Sequence, residues 1–381
     1  MQREPFISII IPVRNFERTL DKTFEYLMNI DYPRNKMEIV IADGGSTDGT
    51  VKIIKQYQQL YPFIKLIEIP NCPSPGYARN KALENVKGEF LLFTDGDCAP
   101  CKKWVYELLK HFERDEKIGI VGGEIYTLRV EQDNIVEAWC EHFRFNMVSP
   151  RYGFIKEGYF PLLSDMRPSQ IAGHRAYFFV TANVAYRKAA IDQANAHFWT
   201  NPTGEDMDFC YQVQRAGWKL YFAPEARVDH MHRANLNQLL KVWITYGAAH
   251  PLLLNKYAKN RLEIILQLKR FWPLLSFPFP IKGFIYLGNF HLFQLFALTS
   301  IILLGFVLLN PASLYLEIAL LISTGLFIYF IRQFVKWCRF MEPKKHFLQW
   351  CKLKYLTNLY FIKGGLKESI KYKTFCIEPS F

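Results

Sequence analysis

From residue 6 to residue 123, short apolar runs alternate with stretches of helical spacing. The β-branched run 6–12 precedes a helix pattern over 16–29. The run 38–43 precedes one over 49–60, and 65–69 precedes one over 77–86. The run 90–95 precedes a helix pattern over 104–112, and 118–123 reads as extended. This alternation predicts an α/β fold with a mostly parallel sheet and helices on both faces. Such sheets bind ligands beyond the carboxyl ends of their strands. Pro12, Asp43 and Asp95 all fall at such ends and are expected to gather at one edge.

The chain has 381 residues, half of them hydrophobic and 16% aromatic, which excludes a disordered chain and permits a sizeable core. Its formal charge of +12 favours nucleic acid, anionic lipid or phosphorylated substrates without choosing among them. The eight cysteines are scattered; Cys98 and Cys101 make one CxxC, with no second pair at zinc-ribbon spacing. They read as reduced, mostly buried thiols. The amino-terminal residues enter a strand directly without a signal-peptide core, so the first part of the chain is expected in the cytoplasm.

From 130 to 180 the periodicity weakens. Tyr152-Gly153-Phe154, Tyr159-Phe160-Pro161 and Arg167-Pro168 suggest loops with aromatic content. The last third changes character. Residues 284–309 carry no charge, and 314–331 carry only Glu317. Each is long enough to span a bilayer. Lys256, Lys259, Arg261, Lys269, Arg270 and Lys282 precede the pair, and Arg332, Lys336, Arg339, Lys344 and Lys345 follow it. Positive residues on both flanks predict a hairpin with both ends in the cytoplasm, in a multi-pass protein of the cell membrane. They also point to anionic lipids rather than nucleic acid as the partner of the basic charge. Phe271-Trp272-Pro273-Leu274-Leu275 and the aromatic, lysine-rich tail 346–373 read as interfacial segments, with a helix packed on the catalytic domain as the alternative. The expected division is a catalytic domain over 1–235, a helical linker or interfacial segment over 236–282, the hairpin over 283–332 and a basic amphipathic tail over 333–381.

Five motifs carry chemistry. Strand 90–93 runs into Thr94-Asp95-Gly96-Asp97, where a carboxylate pair suits Mg²⁺ or Mn²⁺ carrying substrate phosphates; a solvated Asp-Gly turn is the plain alternative. In Asp43-Gly44-Gly45-Ser46-Thr47-Asp48, Asp43 is placed to accept hydrogen bonds from a ring N–H and a ribose hydroxyl, and Asp48 reads as a helix cap. Arg79, in Gly76-Tyr77-Ala78-Arg79-Asn80, is within reach of a base or a diphosphate, or is simply solvated. Thr203-Gly204-Glu205-Asp206-Met207-Asp208 enters a helix whose first turn favours acids anyway. A carboxylate there also suits a general base on an acceptor hydroxyl. In Val228-Asp229-His230-Met231-His232, either imidazole suits a metal or a phosphate, against a polar strand edge.

Together these motifs resemble a family 2 glycosyltransferase of the GT-A fold, from Phe6 to about Tyr246. The resemblance rests on Ser8-Ile9-Ile10-Ile11-Pro12, Asp43 to Asp48, Ala78-Arg79-Asn80, Asp95-Gly96-Asp97-Cys98 and Gly204-Glu205-Asp206. It implies a nucleotide-diphosphate sugar as donor and a divalent cation as cofactor. Pro12, Asp43 and Arg79 would border the nucleoside. Asp95 would lie on the ribose, phosphate and metal side, and Asp97 would hold the metal, completed by His230 or His232. Asp206 would be the base with Glu205 beside it. Asn183, in Thr181-Ala182-Asn183-Val184-Ala185-Tyr186-Arg187, is similar to a residue lining the donor-sugar pocket. Gln214-Arg215-Ala216-Gly217-Trp218 departs from the Gln-x-x-Arg-Trp pattern of processive synthases, so single addition is expected. The resemblance implies an inverting transfer to a lipid-linked or glycan acceptor. A polyprenyl-phosphate sugar transferase or an inactive glycan- or nucleotide-binding protein remain alternatives.

Overall fold

The computed structural model describes residues 4–151, 155–162, 166–172, 177–201, 203–267, 273–340 and 346–378. The chain divides into two compact units. One comprises Met1–Asp165 with Arg175–Asn235, the other Met166–His174 with Leu236–Phe381.

The first unit is built on strands β1 (Ile7–Val13), β2 (Met37–Asp43), β3 (Ile64–Glu68), β4 (Phe90–Phe93), β5 (Cys98–Pro100), β6 (Ile118–Thr127), β7 (Gly158–Phe160), β8 (Val184–Arg187) and β9 (Lys219–His230). They form one sheet in the order β3-β2-β1-β4-β8-β6-β9-β5, with β7 also paired to β9. All seven residues of β1 and of β2 are buried. Strands covered on both faces must be apolar throughout, which is why Ile9-Ile10-Ile11 and Ile39-Val40-Ile41 are unbroken runs. Helices α1 (Leu20–Met28), α2 (Thr50–Leu60), α3 (Pro75–Leu83) and α4 (Trp104–Leu109) follow β1, β2, β3 and β5. α1 buries Leu20, Phe24 and Leu27, one stripe at helical spacing, into the core that also holds Ile9, Ile39, Leu92 and Trp104. Each such side chain stabilises by about 1.5–3 kcal/mol when fully buried.

The sheet is parallel across β3-β2-β1-β4. Beyond β4 it is mixed: β8 runs antiparallel to both β4 and β6, while β6 and β9 are parallel. The weakly patterned stretch before β8 explains the change. An antiparallel strand needs no regular crossover helix to deliver it, so no β-α alternation announces it. That stretch contains α5 (Ile135–His142), α6 (Val148–Arg151) and β7, so Tyr159-Phe160 forms a strand where a loop was expected. Tyr152-Gly153-Phe154 lies outside the described residues. Arg167-Pro168 opens α7 (Pro168–Ile171), which belongs to the second unit. The first unit is completed by α8 (Lys188–Ala194) and α9 (Glu205–Arg215).

The second unit joins segments expected to be separate. Helices α10 (Leu236–Tyr257) and α13 (Phe347–Tyr372) pack against each other, α11 (Asn289–Leu309) against α12 (Leu314–Phe340). Strands β10 (Arg261–Leu266), β11 (Leu274–Pro278), β12 (Gly283–Leu287) and β13 (Phe375–Ile377) form a sheet in the order β11-β10-β12-β13. The 236–282 segment is therefore only half helical, and 283–287 is a strand rather than the start of a span. The cause is local: β10 alternates buried Glu263 and Ile265 with half-exposed neighbours, a period of two confined to six residues. Phe271 and Trp272 of the expected interfacial segment lie outside the described residues, as do Lys269, Arg270, Lys344 and Lys345.

The tail helix α13 is a packed helix rather than a free amphipathic one. It buries Trp350, Leu353, Thr357, Asn358 and Phe361. The α10–α13 approach is set by two glycines. A Cβ on Gly247 would lie 1.9 Å from the Phe361 carbonyl oxygen, and one on Gly364 would lie 2.0 Å from that of Ile244. Backbones this close leave no room for a side chain. Asn289–Leu309 and Leu314–Cys338 are long and apolar enough to cross a membrane. Leu298, Ile301, Leu308, Leu321 and Ile322 face outward from them. Between the two helices Phe296 stacks on Phe330, and the Ser300 and Ser323 hydroxyls meet at 2.9 Å. Small polar contacts of this kind hold apolar helices together where hydrophobic burial does not discriminate.

Candidate active site

The Asp95-Gly96-Asp97 turn links β4 to β5 and is held from three sides. Cys98 N–H donates to the Asp95 carbonyl at 3.1 Å. The Gly96 carbonyl accepts from the Thr19 and Thr23 hydroxyls, each at 3.0 Å, so the first turn of α1 pins the turn's apex. Met231 N–H donates to the Asp97 carbonyl at 2.8 Å, and β5 pairs Cys98 with His230 of β9. The Asp97 carboxylate is 2% exposed. It meets Arg233 Nη1 at 2.9 Å and His230 Nε2 at 3.3 Å.

Asp95, Asp97, Cys98 and His230 each offer an atom within 4.8 Å of the others. Two carboxylates and an imidazole suit a hard or borderline divalent cation. Burial, with Asp97 and Asp95 adding to it, pushes the Cys98 thiol well above its usual range. His232 does not join the group. Its Nδ1 faces His230 Nδ1 at 3.1 Å and its Nε2 faces the Thr127 hydroxyl at 3.0 Å. Burial, then His230 and Arg233, holds its pKa well below the usual range. A neutral His232 behind His230 orients the ring that faces Asp97, the role a partner behind a ligating histidine plays.

Arg79 is placed by α3. The Ser74 hydroxyl caps the helix by accepting from Tyr77 N–H at 3.2 Å, with Pro75 in the first turn. A Cβ on Gly76 would lie 2.1 Å from the Trp199 carbonyl oxygen, so only glycine lets the helix start sit against that strand of chain. Asn80 then exchanges two 2.8 Å hydrogen bonds with the backbone of Phe198. With α3 locked there, Arg79 donates to Asp95 and to Glu205, each at 3.0 Å, beneath the Phe198 ring. The guanidinium is 4% exposed. Its donors thus bridge two carboxylates. Burial pushes the Asp95 carboxyl up, Arg79 opposes that, and Asp97 adds to it.

Glu205 and Asp206 open α9 behind Gly204, whose φ of +75° is the left-handed conformation glycine allows. Asp206 is partly exposed and accepts from Met207 N–H at 2.8 Å. Asp208 is buried and accepts from Gln212.

Asp43 is 2% exposed and turned onto its own loop. One oxygen accepts from Gly45 N–H and Ser46 N–H, each at 3.0 Å, and the other accepts from the Ser46 hydroxyl. That is an Asx turn, which fixes the carboxylate at the carboxyl end of β2. Pro12 lies beside it, buried in β1 opposite Ala42. Asp48 accepts from Thr50 N–H at 3.0 Å, the capping role read for it. Asn183 is also reassigned. Its amide donates to the carbonyls of Glu124 and Ala226 at 2.8 and 2.7 Å, its oxygen accepts from the Trp104 indole at 2.8 Å, and it is 1% exposed. With those bonds made inside the core, it ties β6, β9 and α4 together rather than lining a pocket.

Sequence reading missed Thr19, Thr23, Asn80 as a brace, and Arg233. The two threonines had a signal. They sit four apart, on one face of a helix whose other inward residues are apolar.

Residues 8–193 match the model of glycosyl transferase family 2. The chain is 27% identical over 260 residues to a dolichyl N-acetylglucosaminyl phosphate glucuronosyltransferase of Methanococcus voltae, which spans 66% of this chain and 74% of that protein. It is 27% identical over 248 residues to a pre-mycofactocin glycosyltransferase of Mycobacterium tuberculosis, 65% of this chain but 47% of that one. A solved mannosyltransferase from Pyrobaculum calidifontis, described in complex with GDP-Man and Mn²⁺, superposes with a TM-score of 0.51 at 16% identity, over 96% of this chain and 88% of its own. That likeness bears on the fold. A parallel half sheet, an aspartate pair beyond β4 and an acidic helix start, read with these matches, place residues 8–193 with glycosyl transferase family 2 on a GT-A fold.

Proposed function

We propose that this chain transfers one sugar from a nucleotide-diphosphate donor to an acceptor hydroxyl, with inversion at the anomeric carbon, at the cytoplasmic face of a membrane. The observation that carries the reading is the assembly of Asp95, Asp97 and His230 into one group, with Arg79 joining Asp95 to Glu205, the residue before Asp206. Asp97, Asp95 and His230 would hold Mg²⁺ or Mn²⁺. Bound there, that cation would neutralise charge on the leaving diphosphate. The loop built by Asp43, with Pro12 beneath it, would form the wall of the nucleoside slot.

Asp206 would take the proton from the acceptor hydroxyl. The acceptor oxygen bonds to the anomeric carbon as the bond from that carbon to the phosphate oxygen breaks, and the nucleoside diphosphate leaves. A single in-line displacement inverts the centre. Glu205, held by Arg79, would be fixed beside the acceptor or sugar. The apolar hairpin, with basic residues on both sides, favours a lipid-linked or glycan-precursor acceptor at a surface of anionic lipid.

The test is Asp206→Asn in purified full chain. Donor-induced thermal stabilisation in the presence of Mn²⁺ should persist, while transfer to a hydroxyl acceptor should fall by about 10²–10⁴-fold. Undiminished transfer to a hydroxyl would remove the base role. Retained transfer confined to a polyprenyl phosphate, whose oxygen is already ionised, would move the acceptor to that class.

A further inference from the structure

We propose that His250, Cys376 and Glu378 form a second, structural metal site for a zinc-class divalent cation, which fastens the end of the chain to α10. His250 lies one turn beyond Gly247 on α10, Cys376 is the middle residue of β13, and Glu378 follows that strand. All three are 2% exposed. A ring nitrogen, the sulfur and a carboxylate oxygen lie within 4.8 Å of one another. Nothing in the sugar-transfer reading uses them.

The present contacts leave the cluster incomplete. Glu378 Oε1 meets both His250 Nδ1 and Cys376 Sγ, the latter at 3.3 Å. Glu378 Oε2 is buried with no partner among the described residues. A histidine–carboxylate pair alone would leave that oxygen bare in the interior, which is costly for a carboxylate.

A divalent cation would give that oxygen a partner. Thiolate and carboxylate together cancel its charge, and a neutral imidazole completes three ligands without adding any. A sulfur, a nitrogen and an oxygen donor together suit zinc, whereas magnesium and manganese prefer oxygen. This set therefore differs in kind from the carboxylate pair at β4.

The architecture gives the site a task. β13 has three residues and, among the described residues, is an edge strand paired only with β12. Besides that pairing, Cys376 N–H donates to the Ser369 hydroxyl at 3.1 Å. A metal clip from α10 would stabilise this short strand and the α10–α13 crossing beside it.

The experiment uses full chain in detergent, dialysed against Zn²⁺ and freed of excess, with zinc measured by mass spectrometry of the digested protein. Zinc should be retained at one per chain in both the parent and an Asp97→Asn variant, and should be lost in Cys376→Ser and in His250→Gln. Cys376→Ser keeps a hydroxyl that donates to Glu378, so a merely hydrogen-bonded cluster tolerates it. Chelation should lower the parent's Tm to that of Cys376→Ser and leave the variant unchanged. Cobalt substitution should give a thiolate-to-metal absorption band that vanishes in Cys376→Ser. No retained zinc, or equal zinc and equal Tm in parent and Cys376→Ser, would overturn the proposal.

Discussion

Replacing Arg79 with methionine tests whether the α3 brace works as the structure indicates. The guanidinium is 4% exposed, and its two partners, Asp95 and Glu205, are 24% and 13% exposed. Methionine keeps much of the side-chain volume and removes the charge, so the main loss is electrostatic. Breaking a buried pair by removing one partner costs about 3–5 kcal/mol. Both carboxylates keep some water, which places the cost near the lower end, about 3 kcal/mol. For a unit of this size about 1 kcal/mol moves Tm by 2–4 °C, so a fall of about 6–12 °C is expected near neutral pH. The pH dependence fixes the cause. Without Arg79 the charged carboxylates are less stable in the folded state, so that state binds protons more readily than the unfolded chain. The deficit is then fully present at neutral pH and shrinks as acid protonates Asp95. Thermal unfolding of full chain in detergent, followed by tryptophan fluorescence from about pH 7 to pH 4.5, reads it. A Tm within a degree of the parent at neutral pH, or a deficit that grows in acid, refutes the argument. Arg79→Lys should fall between, because one ammonium lacks the fork that reaches both carboxylates.

Three further outcomes follow from particular contacts. Thr19→Val with Thr23→Val removes both hydroxyl donors from the Gly96 carbonyl, costs about 1–3 kcal/mol, and should weaken Mn²⁺ binding measured by electron paramagnetic resonance; either single change leaves one donor and should do much less. Gly247→Ala drives a methyl against the Phe361 carbonyl and should cost about 1–3 kcal/mol or more in a thermal melt, whereas Gly305→Ala, with nothing near its Cβ, should be silent. His111 is buried against Tyr221, and burial, then Arg114, lowers its pKa from 6.5 to about 4. It stays neutral in the fold while the unfolded chain protonates, so stability holds above pH 6.5 and falls by up to about 3 kcal/mol as pH drops toward 4; His111→Phe should flatten that slope in pH-dependent melts.

The half sheet β3-β2-β1-β4 was legible because parallel strands are buried on both faces, so each appears as an uninterrupted apolar run between helix patterns. The two membrane-length helices were legible because an uncharged stretch of that length has few other uses. The aspartates, the acidic helix start and the histidine pair were legible as residue types at strand and helix ends. The strands β10 to β13 were hidden, since short strands inside an apolar segment carry too few alternations to stand out.

What the linear chain determined by itself was which chemistry is present and on which elements it sits, because periodicity and residue type are local properties. Only the tertiary structure decided which side chains are spent on one another. Arg79 goes to two carboxylates and Asn183 to three core groups, choices that depend on partners brought from far along the chain, while Asp43 folds onto its own turn and His232 onto its neighbour His230. Hydrogen-bond capacity is used up in space, not in sequence, so two residues of the same type can end as a ligand and a strut.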